Sequence, residues 1–410
     1  MAKYLTLDDV KVKDKVVLVR VDFNSEIDPT TKKVTSDVRI RAHAESTLKE
    51  LAEKGAKTVV IAHQGRKGDA DYTPLKQHAE VLGKILKCQV KYVDDVFGDK
   101  AVKAIKAVKG GEILVLENVR SWDGETKSGS PDQQAKTELV QKLAPLADLF
   151  VNDAFAAAHR GHVSMVGFTA VLPSAAGRIM ERELKSLSRA LEKPEKPCVY
   201  VMGGAKADDS LEISKFVLGN KIADYVLVGG VTSQLFLAAK GVDLGEGNMA
   251  FLAKKELTGF IPGIKTLIQQ YPEKILMPDD VALDIGGRRK EIAVGKLPTE
   301  NSIFDIGTNT VKRYSEIIHE ANSIVVSGPM GVYENKEFNY GTRKVFEAIA
   351  TSKAFSLAGG GNTIAAINEY GLSAKIGYIS TAGGALIEFL MGKKLPGVVA
   401  LETAVRSKKV

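Results

Sequence analysis

The sequence predicts an α/β protein built from two doubly wound parallel-sheet domains joined by an interdomain helix and hinge. Three observations carry this. Short β-branched apolar runs recur along the whole chain, without the alternation of half-exposed strands. Between them lie stretches of helical spacing, so strand and helix alternate as in parallel sheets covered on both faces. And one helix-like stretch midway, Ala175 to Leu191, ends on a breaker holding Pro194 and Pro197.

In the first half the runs are Val16 to Phe23, Lys57 to Gly65, Gly111 to Arg120 and Ala147 to Phe155. In the second half they are KPCVYVMGGAK, ADYVLVGGV, KILMPDDVAL, NSIVVSGPMG, AFSLAGGGN and KIGYIST. Helical patterns fall at Arg41 to Lys54 and at Leu211 to Leu218. Residues 1–172 then form an N-terminal domain, 173–195 the helix and linker, and 196–385 a C-terminal domain. A chain of 410 residues with 44% apolar composition gives each domain enough to bury a core of its own. No short-period repeat and no low-complexity tract interrupts it.

The two cysteines, Cys88 and Cys198, lack a C-x-x-C partner and read as free packing thiols. The start MAKYLTLDDVKVKDK is too charged for a signal peptide. No apolar run approaches the ~20 residues that cross a bilayer. The expectation is a cytoplasmic protein without membrane partners. The formal charge of +7 suits an acidic metabolite or nucleic acid alike. The lysines lie along solvated helical faces, whereas several arginines directly follow strand-like runs.

Ligands of open α/β sheets bind beyond the carboxyl ends of the strands, so the residues just after each run matter most. The first run ends in Arg20, Asp22 and Asn24, and the second in His63, Gly65 and Arg66. The third ends in Glu117, Asn118 and Arg120, and the fourth leads to Asn152, Asp153, His159, Arg160 and His162. Arg39 falls in what reads as a loop, TSDVRIRA, before a helix. Guanidinium groups bind carboxylate and phosphate through paired hydrogen bonds, so arginines on neighbouring strand ends predict a cup for a small polyanion. The same arginines would repel a metal ion from His159 and His162.

In the second half the strand ends are rich in glycine: Gly203-Gly204-Ala205-Lys206, Gly229-Gly230, Ser327-Gly328-Pro329-Met330-Gly331 and Gly359-Gly360-Gly361-Asn362-Thr363. Glycine lets a ligand approach the main chain, and amides at helix starts cradle phosphates. Lys206 adds a point charge. These turns predict a nucleotide site. The sequence lacks G-x-x-x-x-G-K-[ST], a strand-led G-x-G-x-x-G and the protein-kinase motifs. A nicotinamide-dependent dehydrogenase therefore loses its main support, and a nucleotide- or RNA-binding protein without catalysis would not need the arginine set.

Eight strings in order resemble phosphoglycerate kinase: RVDFN (20–24), AHQGR (62–66), LENVR (116–120), DAFAAAHRGHVSMVG (153–167), GGAK (203–206), GPMGVYE (328–334), GGGNT (359–363) and STAGGA (380–385). They span nearly the whole chain. The resemblance implies 3-phosphoglycerate or 1,3-bisphosphoglycerate on the N-terminal domain, and ATP or ADP with Mg2+ on the C-terminal one. By matching motif it implies substrate contacts from Asp22, Asn24, Arg39, His63, Arg66, Arg120 and Arg160. Arg39 would stabilise the transferring phosphoryl group, and Lys206 would join it in catalysis as a phosphate-binding lysine. The nucleotide would meet Gly204, Ala205, Lys206, Gly229, Gly230, Gly307, Pro329, Glu334, Gly361, Asn362 and Thr363, with the glutamate reaching the ribose. The tail 386–410 would pack back on the N-terminal domain. Three departures stand out. Ser210 occupies the place of a second lysine after GGAK, Asn362 that of an aspartate that helps hold magnesium, and Ser327-Gly328-Pro329 and Ala382-Gly383-Gly384 replace the usual triplets. They leave the metal ligands open and suggest a divergent, archaeal-like branch.

Overall fold

A computed structural model describes residues 3–407. It divides into two units, one taking the chain up to Leu184 and again from Lys394, the other Lys185–Lys393. In the first unit β1 (Val16–Arg20), β2 (Lys57–Ile61), β3 (Val90–Tyr92), β4 (Ile113–Val115), β5 (Leu149–Asn152) and β6 (Ser174–Ala176) form one parallel sheet in the order β3-β4-β2-β1-β5-β6. Strand β1 is central, Val17 pairing with Thr58 on one side and Leu149 on the other. Its side chains alternate between two cores. Val17 and Val19 pack with Val60 and Val115, and Leu18 packs with Val59, Leu114 and Phe150. Both faces are covered, which is why the run carries no polar residue between its valines. The chain leaves β1 for β2 on one side and later returns as β5 on the other. That reversal lies at the carboxyl ends of β1 and β5, which carry Arg20 and Asn152 and lead into Asp22 and Asp153.

In the second unit β7 (Cys198–Met202), β8 (Tyr225–Val228), β9 (Ile275–Leu276), β13 (Ser323–Ser327), β14 (Phe355–Gly359) and β15 (Tyr378–Ser380) make a second parallel sheet, ordered β15-β14-β13-β7-β8-β9. Here the order reverses between β7 and β13, whose ends carry Gly203 and Gly328. A separate antiparallel sheet, β10 (Asp280–Ile285), β11 (Arg288–Ala293) and β12 (Ile303–Ile306), was not expected. KILMPDDVAL is not one strand: it breaks at Pro278, with Ile275–Leu276 in the parallel sheet and Asp280–Ile285 in this one. Strand β11 is polar and largely exposed, so it carries no apolar run. Gly286 and Gly287, at φ +61° and +81°, turn the hairpin.

Other expectations shift by a few residues. The mid-chain helix spans Arg178–Leu191, because Ala175 and Ala176 extend β6 and pair with Val151 and Asn152. Arg39 is not in a loop. It lies in the helix Val38–His43, which runs on through the π turn Ala44–Leu48 into Lys49–Glu53. Cys198 is buried, but Cys88 is exposed rather than packed.

Candidate functional site

At the end of β1 the Arg20 side chain is buried, with 1% exposure. Its Nε donates to Ser164 Oγ at 2.9 Å, Nη1 donates to the Val21 carbonyl, and Nη2 lies 3.0 Å from His63 Nδ1. Ser164 Oγ donates in turn to Glu125 Oε1 at 2.6 Å, and its N–H donates to Oε2 at 2.9 Å. Burial pushes the Glu125 carboxyl up from its usual range, while Arg20 opposes the shift. Just beyond Arg20, Asp22 accepts from Arg39 Nη1 at one oxygen and from the Asn24 N–H at 3.1 Å at the other. Asn24 Oδ1 accepts from the Gly65 N–H at 2.8 Å, tying the end of β1 to the end of β2.

Arg66, Arg120, Arg160 and His162 line one cleft of about 580 Å³ in this unit, with Lys67, Trp122 and Thr126. Arg120 also donates to the Gly65 carbonyl. Burial and the neighbouring guanidinium groups of Arg160 and Arg20 push Arg120 down to about 10, so it remains charged at neutral pH. Burial first, and then the positive charge of Arg20, Arg120 and Arg160, holds His63 well below the usual imidazole range. His162 is pushed down to about 3 by burial, Arg160, Arg120 and Arg20. Both histidines are thus neutral, and the cup's charge resides on its arginines. An anion bound beside these mutually repelling cations would relieve the repulsion.

In the second unit the Gly203 N–H donates to Ser327 O at 2.8 Å, and the Gly204 N–H donates to Pro329 O at 2.7 Å. The ends of β7 and β13 are therefore laced together. Gly204 and Gly328, at φ +74° and +93°, need the glycine backbone to make that approach. Around them runs a cleft of about 570 Å³ lined by Lys206, Asp209, Gly361, Asn362 and Thr363 among others. Lys206 is exposed and caps the helix Ala207–Gly219, with Asp208 and Asp209 in its first turn. Thr363 is buried, its Oγ1 accepting from the Gly328 N–H at 2.7 Å. An adjoining cleft of about 170 Å³ shares Gly204, Ala205, Pro329 and Asn362 and adds Gly230 and Glu334. The Ala205 N–H and the amides that open the helix Gly361–Glu369, beside Lys206, can hold phosphates; the smaller cleft adds the Glu334 carboxylate, suited to hydroxyl groups.

Not every predicted residue reaches these clefts. Gly229 packs under Met330, where a Cβ would meet the sulfur at 2.4 Å. Gly307 packs on the Asp280 carboxylate, where a Cβ would lie 2.2 Å from its carbon. Asp153 points away from the cup, toward the helix Arg178–Leu191. Sequence reasoning passed over Glu125, in an exposed-looking loop DGETKSG, and His43, in the middle of a helix. Neither follows an apolar run, so neither carried a signal.

The family model for phosphoglycerate kinase matches residues 7–393. The chain is similar to the phosphoglycerate kinase of Methanobacterium bryantii, with 48% identity over 405 residues, 99% of this chain and 98% of the relative. It superposes on the crystal structure of phosphoglycerate kinase from Pyrococcus horikoshii OT3 with a TM-score of 0.87 and 41% identity, over 98% of this chain and 100% of that one. The structure of phosphoglycerate kinase from Coxiella burnetii gives 0.86 at 32% identity, over 99% and 100% of the two chains.

Proposed function

The chain belongs to the phosphoglycerate kinase family, and from that premise we propose how its two clefts divide the reaction. The reaction is reversible phosphoryl transfer between 1,3-bisphosphoglycerate and ADP, giving 3-phosphoglycerate and ATP, a step of glycolysis and gluconeogenesis. The acceptor in the reverse direction is a carboxyl group. On our reading the arginine cup of the first unit holds the phosphoglycerate and the glycine-lined clefts of the second hold the nucleotide. The observation that carries this division is the pile-up of Arg20, Arg120 and Arg160 around neutral His63, with Arg66 beside Arg120 and Arg160, a field suited to a polyanion.

In the forward direction a β-phosphate oxygen of ADP attacks the acyl phosphorus. The P–O bond to the carboxyl group breaks, and the electron pair stays on the departing carboxylate. No proton moves, because that carboxylate is ionised at neutral pH. The protein's task is therefore positioning and charge neutralisation. Asp22 orients Arg39 toward the transferring group, and Lys206 with the Ala205 N–H and the amides that open the helix Gly361–Glu369 meets the nucleotide phosphates. Glu334 is read as the ribose ligand. Because the two ligands bind different units, transfer requires hinge bending that brings them together and excludes water.

Magnesium is part of the same reading. Among the described residues no group of three or more His, Cys, Asp and Glu side chains stands together. The cleft offers the Asn362 amide oxygen, with the Asp209 carboxylate as a rival donor. Mg2+ keeps several waters and is held by one or two protein oxygens plus substrate phosphates, so this donor set fits an ion that arrives with the nucleotide. Bound there, the ion supplies charge neutralisation to the phosphates. Burial and the neighbouring Asp208 push the Asp209 carboxyl up, while Lys206 and Lys393 oppose the shift.

Among the described residues no helix is long and apolar enough to cross a membrane. We place the enzyme in the cytoplasm and assign it no nucleic-acid partner. A coupled assay with 3-phosphoglycerate and MgATP tests the function: turnover that requires both substrates supports it, and no turnover with either nucleotide direction refutes it.

A further inference from the structure

Beneath the arginine cup, the main chain of Asp22 is tied to the start of the helix Arg178–Leu191 by one buried imidazole. The Asp22 N–H donates to His43 Nε2 at 3.1 Å. On the opposite side of the ring, His43 Nδ1 lies 2.6 Å from Asp153 Oδ2. The His43 and Asp153 side chains are 5% and 0% exposed. Asp153 Oδ1 then accepts from the Ile179 and Met180 N–H groups at 2.8 and 3.3 Å, in the first turn of that helix. Gly177 leaves room for this: a Cβ there would lie 2.3 Å from Asp153 Oδ1.

The chemistry fixes the ring's state. A backbone amide only donates, so Nε2 must present its lone pair, and the ring proton sits on Nδ1, donated to the carboxylate. The same helix that carries His43 carries Arg39 one turn earlier, and Arg39 Nη1 donates to the Asp22 carboxylate. Asp22 is thus held at two points by one helical turn, side chain by Arg39 and main chain by His43. One turn further along, Thr47 Oγ1 accepts from the Arg178 N–H at 2.7 Å. His43 and Thr47 hold neighbouring parts of one junction.

We infer that His43 is a positioning residue for phosphoryl transfer, setting Asp22, and through it the Arg39 guanidinium, against the Asp153-capped start of the Arg178–Leu191 helix. His43 touches no reacting atom on this reading. Its removal frees the Asp22 main chain and lets Arg39 wander from the transferring group. The inference rests on the assignment of Arg39 in the proposed function, so Arg39→Ala serves as the reference arm of the test.

Steady-state kinetics would compare wild type, His43→Leu, His43→Gln, Asp153→Asn and Arg39→Ala. Leucine removes both ring nitrogens; glutamine restores one acceptor and one donor. We expect His43→Leu to lower kcat on the order of 10- to 100-fold, the scale of a small misplacement remote from the chemistry. KM for 3-phosphoglycerate should change by less than about threefold, as for loss of an interaction felt mainly in the transition state. His43→Gln should recover most of the rate. In Asp153→Asn one amide oxygen still caps the helix, but the amide NH2 now faces Nδ1. The ring must then carry its proton on Nε2, against the Asp22 N–H, and kcat should fall as in His43→Leu. A 15N spectrum of the histidines should show the Nδ1–H tautomer in wild type and the Nε2–H tautomer in Asp153→Asn; this arm stands even if His43→Leu fails to fold. Wild-type kcat in His43→Leu, equal rates in the leucine and glutamine variants, or an unchanged tautomer in Asp153→Asn would overturn the inference. Wild-type kcat in Arg39→Ala would instead overturn the role of Arg39 on which it rests.

Discussion

Arg20 and His63 face each other across 3.0 Å, guanidinium Nη2 to imidazole Nδ1. A guanidinium only donates, so Nδ1 accepts and the ring's proton sits on Nε2. Protonating Nδ1 would set two donors against each other beside two further arginines, Arg120 and Arg160. His63 is held well below the usual range for that reason, and His162 is pushed down to about 3.

Acidification should therefore add no histidine charge to the cup. Between about pH 8 and pH 6 the affinity for 3-phosphoglycerate should not rise, and it should fall as the substrate phosphate takes up its second proton near pH 6. Calorimetric titration across that range checks it. An affinity that climbs below pH 7, together with an NMR titration of His63 near its ordinary value, would contradict the neutral ring.

The two arginines assigned separate tasks should separate kinetically. Arg66 is exposed on the wall of the cleft, where Arg66→Ala loses a charge-assisted contact worth roughly 1.5–3 kcal/mol of substrate binding. That is about 10- to 150-fold in affinity, with nucleotide affinity unmoved. Arg39→Ala should instead lower kcat by about 10²–10³-fold, the usual cost of one donor to developing charge, with little change in KM. Equal losses of both ligands in Arg66→Ala would show that the cup is not a dedicated phosphoglycerate site.

Much of this was legible in the sequence because buried parallel strands declare themselves as unbroken apolar runs. Val16–Arg20 and Cys198–Met202 are such cases, and the residues directly after them form the clefts. The strands that were missed have physical reasons. Val90–Tyr92 is a half-buried edge strand, Ser174–Ala176 is built of small side chains, and Arg288–Ala293 is polar. The helix that carries Arg39 is not legible because TSDVRIRA is mostly polar and places Val38 and Ile40 two apart, without the three-and-four spacing of a helical face. His43 and Glu125 escaped for a different reason: their roles come from contacts more than 20 residues away in sequence, to Asp153 and Ser164.

The lacing of β7 to β13 admits no side chain. A Cβ on Gly203 would lie 2.2 Å from the Pro329 carbonyl oxygen, and one on Gly230 would lie 2.8 Å from the Gly204 nitrogen at φ +58°. Gly203→Ala should push the two strand ends apart, weakening nucleotide binding at least about tenfold and costing roughly 1–3 kcal/mol of stability. Binding of 3-phosphoglycerate by the other unit should persist. Normal nucleotide affinity in this variant, measured by equilibrium fluorescence titration, would mean that the lacing does not shape the nucleotide site.

His78 gives stability its own pH dependence. It is fully buried against Phe23, and burial pushes it down to about 4. Below its ordinary value near 6.5 the unfolded chain binds a proton that the folded chain refuses, so stability falls as pH drops from about 6.5 toward 4. The loss amounts to at most about 3 kcal/mol. His78→Gln keeps a donor for Gln64 and should make the denaturation midpoint fall less steeply over that window, the remaining slope coming from His63 and His162. An equally steep loss in the variant would assign the dependence to other groups.

Magnesium dependence distinguishes the two oxygen donors of the nucleotide cleft. Asn362 presents an uncharged amide oxygen, and Asp209 a carboxylate that burial and Asp208 push up. With so little built-in charge, the free enzyme should bind magnesium weakly and acquire it with the nucleotide. If residue 362 faces the phosphates, Asn362→Asp adds a charged ligand and should tighten magnesium in the ADP complex. Asp209 sits in the first turn of the helix Ala207–Gly219, where a carboxylate is favoured by the helix dipole without any metal. Asp209→Ala should then leave magnesium affinity in the ADP complex within about threefold of wild type, a change under about 1 kcal/mol. Titrating magnesium against wild type and both variants with ADP bound decides between them. If Asp209→Ala abolishes metal dependence while Asn362→Asp changes nothing, the ion belongs to the helix and not to the glycine turn.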